Sequence, residues 1–169
     1  MILPKVIIFD RDDTLIMNKD GYLYQPEDLV WYEGAKEILR KLQDSNIRVA
    51  IATNQSGVAR GFFSSKQVEL FHNYMNNPQQ ANGAIDLFVF CPHYPQGSVP
   101  ELSTSCRCRK PLPGLVLDIL SKFNARPNEC ILFGDSITDI QAGLSAGVQS
   151  FLVVPGEIES QVLEKVWGL

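Results

Sequence analysis

The chain has no apolar run long enough to span a membrane, and only a few apolar residues precede Asp10, with no small-residue cleavage site among them. A spanning helix and a secretory leader are therefore not expected, and the expected compartment is the cytoplasm. Positive charge is not in surplus. Fifteen Lys and Arg face 19 Asp and Glu, and the net charge of -4 has the wrong sign for a surface that tracks nucleic acid. Internal repeats, low-complexity tracts and linkers are missing too. What remains is a chain of 169 residues, long enough to bury a continuous core without staples. It is expected to form one domain over residues 1–169 and to act as a monomer without a nucleic-acid or membrane partner.

What is present starts with Lys5 to Phe9, a β-branched and aromatic run that reads as a buried strand. It stops at Asp10 and Asp12, spaced i, i+2 so that an extended backbone projects both carboxylates to one side. Further short apolar runs at Arg48–Ala52, Ile85–Phe90, Cys130–Phe133 and Val148–Val153 read as strands. Between them lie helical patterns: Gly34–Asp44, a helix opened by the capping box Ser64 to Gln67, one started by Pro113, a short one through Ala146, and a closing one over Glu157–Trp167. This alternation predicts an α/β fold, a doubly wound, mostly parallel Rossmann-like sheet with flanking helices. Residues 18–33 read as a long loop, His72 as solvent-facing and Cys130 as core.

Several strand ends carry groups suited to one substrate, a phosphoryl group. Asp10 can act as a nucleophile that forms an aspartyl-phosphate, and Asp12 can protonate the departing alcohol and then activate water. Asp135 completes an oxygen site that suits Mg²⁺, which a carboxylate needs before it can approach a phosphate dianion. Thr53 and Asn54 supply neutral hydrogen-bond donors, and Lys110 supplies a point charge. Asp139 reads as an acid in the first turn of a helix.

A second constellation is Cys91-x-His93 followed, after twelve intervening residues, by Cys106-x-Cys108. Three thiolates and one imidazole make a closed tetrahedral set for structural Zn²⁺ with no open position for catalysis. A disulfide, or unliganded buried cysteine with a surface histidine, are the competing readings. Arg109 and Lys110 follow the last ligand directly, so a bound zinc would pin a long loop and set both cations beside the strand ends.

With these motifs in this order, nearly the whole chain resembles the haloacid dehalogenase superfamily of Mg²⁺-dependent phosphohydrolases. The resemblance implies Asp10 as nucleophile, Asp12 as acid and base, and Thr53 and Lys110 as phosphate ligands. It implies Mg²⁺ held by Asp10, the backbone carbonyl of Asp12, and Asp135. Asp13 departs from the family, which commonly has glycine there; glycine would permit a left-handed or closely approaching backbone, and Asp tolerates that conformation better than most residues. Within the superfamily, Cys91-Pro92-His93-Tyr94-Pro95-Gln96-Gly97, Cys106-Arg107-Cys108-Arg109-Lys110-Pro111 and Thr53 to Gly61 are similar to the heptose-bisphosphate phosphatases and to their histidinol-phosphate phosphatase relatives.

No inserted stretch separates the motifs, so no cap domain is expected. Loops near residues 17–30, 55–63 and 92–109 would then select the substrate, a small phosphorylated sugar, with Arg109 on its second phosphate. Histidinol phosphate is the rival substrate. A phosphoacceptor signalling domain and a zinc-stabilised binding module are the rivals from other classes.

Overall fold

The computed structural model describes residues 3–19 and 21–169; Asp20, in the first of the three expected loops, lies outside the described residues. Among the described residues five strands, β1 (Val6–Phe9), β2 (Arg48–Asn54), β3 (Leu87–Cys91), β4 (Cys130–Gly134) and β5 (Gln149–Leu152), form one sheet in the order β3-β2-β1-β4-β5. Every neighbouring pair is parallel. Five helices connect or close it: α1 (Ala35–Asp44), α2 (Ser65–Met75), α3 (Gly114–Phe123), α4 (Ile137–Ser145) and α5 (Ile158–Trp167). None is long and apolar enough to cross a membrane.

Strand alternation sorts the core into two layers. Ile7, Phe9, Val49, Ile51, Ile131 and Phe133 face α1, α5 and the buried side of α2. Val6, Ile8, Ala50, Ala52 and Leu132 face α3 and α4. β1 is central and fully buried, which is why its sequence is an unbroken apolar run.

The chain leaves β1 toward β2 and β3, then crosses over to β4. The carboxyl ends of β1 and β4 therefore flank the switch point of the sheet, where open α/β folds bind ligands. Phe9 pairs with Phe133, and the Asp10 N–H donates to the Phe133 carbonyl at 2.9 Å. That register brings Asp10 and Asp135 to the same edge.

Some boundaries differ from the sequence expectation. β2 continues through Thr53 and Asn54 because they pair with Phe90 and Cys91. β3 starts two residues later than expected, since the Ile85 N–H is taken by the Asn76 side chain and the Asp86 carboxylate accepts from the Val49 N–H. Pro113 caps α3 from outside its first turn. The expected capping box is present, with Ser64 Oγ accepting from the Gln67 N–H at 3.2 Å and Gln67 Oε1 accepting from the Ser64 N–H at 2.9 Å. The first loop is not wholly irregular: it holds a 3-10 turn at Pro26–Asp28, and Trp31 bridges back to Ile16.

Candidate active site

At the ends of β1, β2 and β4 an open cleft of about 240 Å³ is lined by Asp10, Asp12, Asp13, Thr53, Asn54, Lys110, Asp135 and Asp139, among others. At its floor Lys110, 5% exposed, donates from Nζ to Asp10 Oδ1 at 2.7 Å and to the Ala52 carbonyl at 2.8 Å, and pairs with Asp139 Oδ1 at 2.5 Å. Burial alone would discharge the ammonium, but the carboxylates of Asp10 and Asp139 outweigh it and hold the Lys110 pKa above its ordinary value.

Burial pushes the Asp10 carboxyl up to about 7; Lys110 opposes that rise, while Asp139 and Asp12 add to it. Asp135 is raised by burial and by Asp139. Carboxylate oxygens of Asp10, Asp135 and Asp139 lie within 4.8 Å of one another, served by one lysine. An all-oxygen set with more negative charge than its neighbours offset fits a hard divalent cation.

Asp139 does two things where the sequence showed one. From the first turn of α4 its Oδ2 accepts from the Ser136 N–H at 3.0 Å and from Ser136 Oγ at 2.7 Å, completing a capping box. Its other oxygen reaches Lys110. Gly134 makes this possible, because a Cβ there would collide with the Asp139 side chain.

The Asp12 carboxylate is not part of that set of three. The Arg11 fork grips it from Nε to Oδ1 at 2.8 Å and from an NH2 to Oδ2 at 3.0 Å, and Gln55 Nε2 donates to Oδ2 at 3.1 Å. Gln55 also donates to Thr53 Oγ1 at 2.9 Å, which ties the acid to the hydroxyl. Asn54, expected as a donor to the phosphoryl group, lines the cleft and has a second set of partners. Its amide donates to the Lys110 carbonyl and accepts from the Lys110 N–H, both at 3.1 Å, so it holds the lysine's backbone. Asp13 has φ 58°, the left-handed conformation that glycine would adopt freely. Its Oδ1 accepts from the Asn18 N–H at 3.0 Å and from Tyr32 Oη at 3.3 Å, local bonds that let Asp hold the turn.

The second cluster forms as the sequence spacing implied. Cys91 Sγ lies 3.0 Å from Cys108 Sγ, 3.5 Å from Cys106 Sγ and 3.7 Å from His93 Nδ1, and Cys108 Sγ lies 3.5 Å from His93 Nδ1. No described cysteine is in a disulfide. Burial and the neighbouring thiols raise the Cys91 pKa, so a cation is needed to ionise it; four soft donors converging on one point fit zinc. Directly after this set, the Arg109 guanidinium lies 5.0 Å from the centre of the Tyr94 ring, which also carries Arg60 at 4.1 Å.

Sequence reasoning missed Arg11, Gln55 and the second role of Asp139, and it misplaced His72. Far from facing solvent, His72 is 3% exposed, stacked on Phe88 at 4.5 Å and bonded through Nε2 to Arg11 at 3.1 Å. Burial, with the guanidinium adding to it, lowers its pKa to about 2 and keeps the ring neutral. Its neighbours on α2 gave the helix a weakly polar pattern, and the aromatic residues that cover it come from β3. The only signal in sequence was an Arg between the two acids, a residue too long to be buried there unpaired.

Comparison with known proteins finds the following similarities. The family described as haloacid dehalogenase-like hydrolase matches residues 18–147, a span that begins after Asp10 and Asp12. The D-glycero-alpha-D-manno-heptose-1,7-bisphosphate 7-phosphatase of Photorhabdus laumondii is 40% identical over 163 residues, 95% of this chain and 88% of that one. The D-glycero-beta-D-manno-heptose-1,7-bisphosphate 7-phosphatase of Yersinia pestis is 35% identical over 149 residues, 88% of this chain and 79% of that one. A crystal structure of D,D-heptose 1.7-bisphosphate phosphatase from B. bronchiseptica, complexed with magnesium and phosphate, aligns with a TM-score of 0.79 at 32% identity, covering 95% of this chain and 86% of that chain.

Proposed function

We infer the reaction from one premise, that this chain belongs to the haloacid dehalogenase-like hydrolases and is a phosphoric monoester hydrolase: it removes the 7-phosphate of D-glycero-D-manno-heptose 1,7-bisphosphate. The observation that carries the chemistry is the buried Asp10–Lys110–Asp139 network at the switch point. The names of the similar proteins carry the substrate.

Asp10 attacks phosphorus as the bond to the sugar oxygen breaks, and Asp12 gives that oxygen its proton. Asp12 then takes a proton from the water that hydrolyses the aspartyl-phosphate. Lys110 and Thr53 hold the non-bridging oxygens, with Asn54 fixing Lys110 and Gln55 joining Thr53 to Asp12. The oxygens of Asp10 and Asp135, with the Asp12 carbonyl, would hold Mg²⁺, which offsets the charge of the phosphate. Cys91, His93, Cys106 and Cys108 would hold Zn²⁺ in a structural role.

Substrate selection falls to loops, since residues 1–169 form a single cytoplasmic domain without a cap. Tyr22 and Tyr24 of the first loop pack on Phe62 and Phe63 of the second. Arg60 and Arg109 share Tyr94 across the second and third loops. Among the described residues neither guanidinium has a carboxylate partner. Arg109 therefore suits the phosphate that is not removed, and a monomer suffices for the site.

The test is phosphate release with Mg²⁺ from both anomers of the heptose bisphosphate, from a generic monoester and from histidinol phosphate. The highest kcat/KM is expected for a bisphosphate. Preference for histidinol phosphate would overturn the substrate and leave the chemistry standing.

A further inference from the structure

Arg11 is fully buried one residue after Asp10. A guanidinium in that position must have its charge and its donors met. Two of its nitrogens grip both oxygens of Asp12, a bidentate pair that sets the plane of the carboxylate as well as its place. NH2 also donates to the Leu23 carbonyl at 2.9 Å, and the Phe71 ring lies 5.0 Å below the guanidinium. The third nitrogen, NH1, meets His72 Nε2 at 3.1 Å. A guanidinium can only donate, so Nε2 accepts that bond and the ring proton sits on Nδ1. Phe88 stacks on the imidazole at 4.5 Å and Phe90 meets it edge-on at 5.9 Å between ring centres. His72 belongs to α2, which contributes no residue to the lining of the cleft.

We propose that His72 is a positioning residue for Asp12, acting through the Arg11 guanidinium. Resting on the assignment of Asp12 as acid and base, it extends the working site to a residue that never touches substrate. With the acceptor gone, NH1 is a buried donor without a partner, and the guanidinium turns to find one, taking the carboxylate of Asp12 out of line with the leaving oxygen.

The test exploits leaving-group chemistry. A sugar alkoxide needs a proton as it departs, whereas 4-nitrophenolate leaves without one, and kcat/KM reports transfer to Asp10 in both cases. His72→Phe keeps an aromatic ring against Phe88 and removes both ring nitrogens, the Nε2 acceptor among them. It should lower kcat/KM about tenfold or more for the sugar phosphate and less than about twofold for 4-nitrophenyl phosphate, and His72→Gln, which returns an acceptor, should recover most of the loss. Should His72→Phe fail to fold, His72→Asn, whose carbonyl falls short of Arg11, must show the same split. Equal losses on both substrates, no loss on either, or no recovery in His72→Gln overturn the proposal. Asp12→Asn separates the two layers of inference. If it shows the leaving-group split and His72→Phe does not, His72 alone is misassigned; if Asp12→Asn lacks the split, Asp12 is not the acid and both fall.

Discussion

The carboxylate cluster and the thiol cluster are joined in the chain by Arg109 and Lys110, yet they are held by different means. Asp10 and Asp135 follow directly from paired central strands, and Asp139 sits in the first turn of a capped helix. Their placement is a product of the sheet, and it stands with the acids still repelling one another. Of the four zinc-type ligands only Cys91 lies in a strand; His93, Cys106 and Cys108 lie in a stretch without helix or strand between β3 and α3. There turn hydrogen bonds such as Tyr94 N–H to the Leu102 carbonyl hold the backbone, with no ladder beneath the ligands. One cluster is framed by the sheet and suits a hard cation, and the other gathers soft donors from a loop, where a bound cation would add a cross-link that the backbone lacks.

The sharpest break in that contrast is Asp10→Asn. Its amide is a poor nucleophile and a poor metal ligand, while the sheet beneath it is untouched. Turnover should fall by about 10⁴-fold or more with the folded state and zinc content retained. Near-native phosphate release from the purified variant would move the nucleophile elsewhere.

Next in size is Cys108→Ser, which attacks the frame instead of the chemistry. Zinc by elemental analysis should drop below one per chain, the thermal midpoint should fall, and activity should decline roughly 10- to 100-fold as Arg109 and Lys110 lose their anchor. Full activity in zinc-free protein would uncouple the two clusters.

A smaller and more selective effect is expected from Arg109→Ala. Loss of one charged hydrogen-bonding group should lower kcat/KM for the heptose bisphosphate roughly 10- to 100-fold and barely change a generic monoester. Equal losses would place Arg109 at the phosphate being transferred.

The smallest effect is on stability. Without metal, Asp10 is raised from 3.8 to about 7 in the folded protein. The folded state then favours its protonated form, so its contribution to stability is fully present below 3.8 and is lost as pH rises through about 7. Mg²⁺ should therefore raise the melting temperature of the native protein more at pH 8 than at pH 5, and Asp10→Asn should remove most of that difference. An equal shift at both pH values would mean that Asp10 carries no excess charge for the cation to offset.

Much of this molecule could be read from the chain because its signals are local. An apolar run that ends in Asp10 marks a buried strand and its reactive edge, Ser64 and Gln67 mark a helix start, and Cys91, His93, Cys106 and Cys108 are short-spaced donors that one metal ion could gather. The placement of Asp13 follows the same logic, since a turn that wants φ above zero accepts Asp once its carboxylate finds nearby N–H and O–H donors.

The rest depended on partners distant in sequence. Lys110 meets Asp139 only because β1 and β4 are adjacent and Gly134 leaves room, and Asn54 is recruited to the Lys110 backbone across 56 residues. His72 reads as an exposed residue of a half-polar helix until Phe88 and Phe90 cover it and Arg11 comes within 3.1 Å. By itself the sequence determined which chemical groups stand at the strand ends and which metals suit them, because residue type and spacing carry that information. Only the tertiary structure decided which groups hold the others in place, because a buried charge takes its partner from whatever the packed sheet and helices bring within hydrogen-bonding distance.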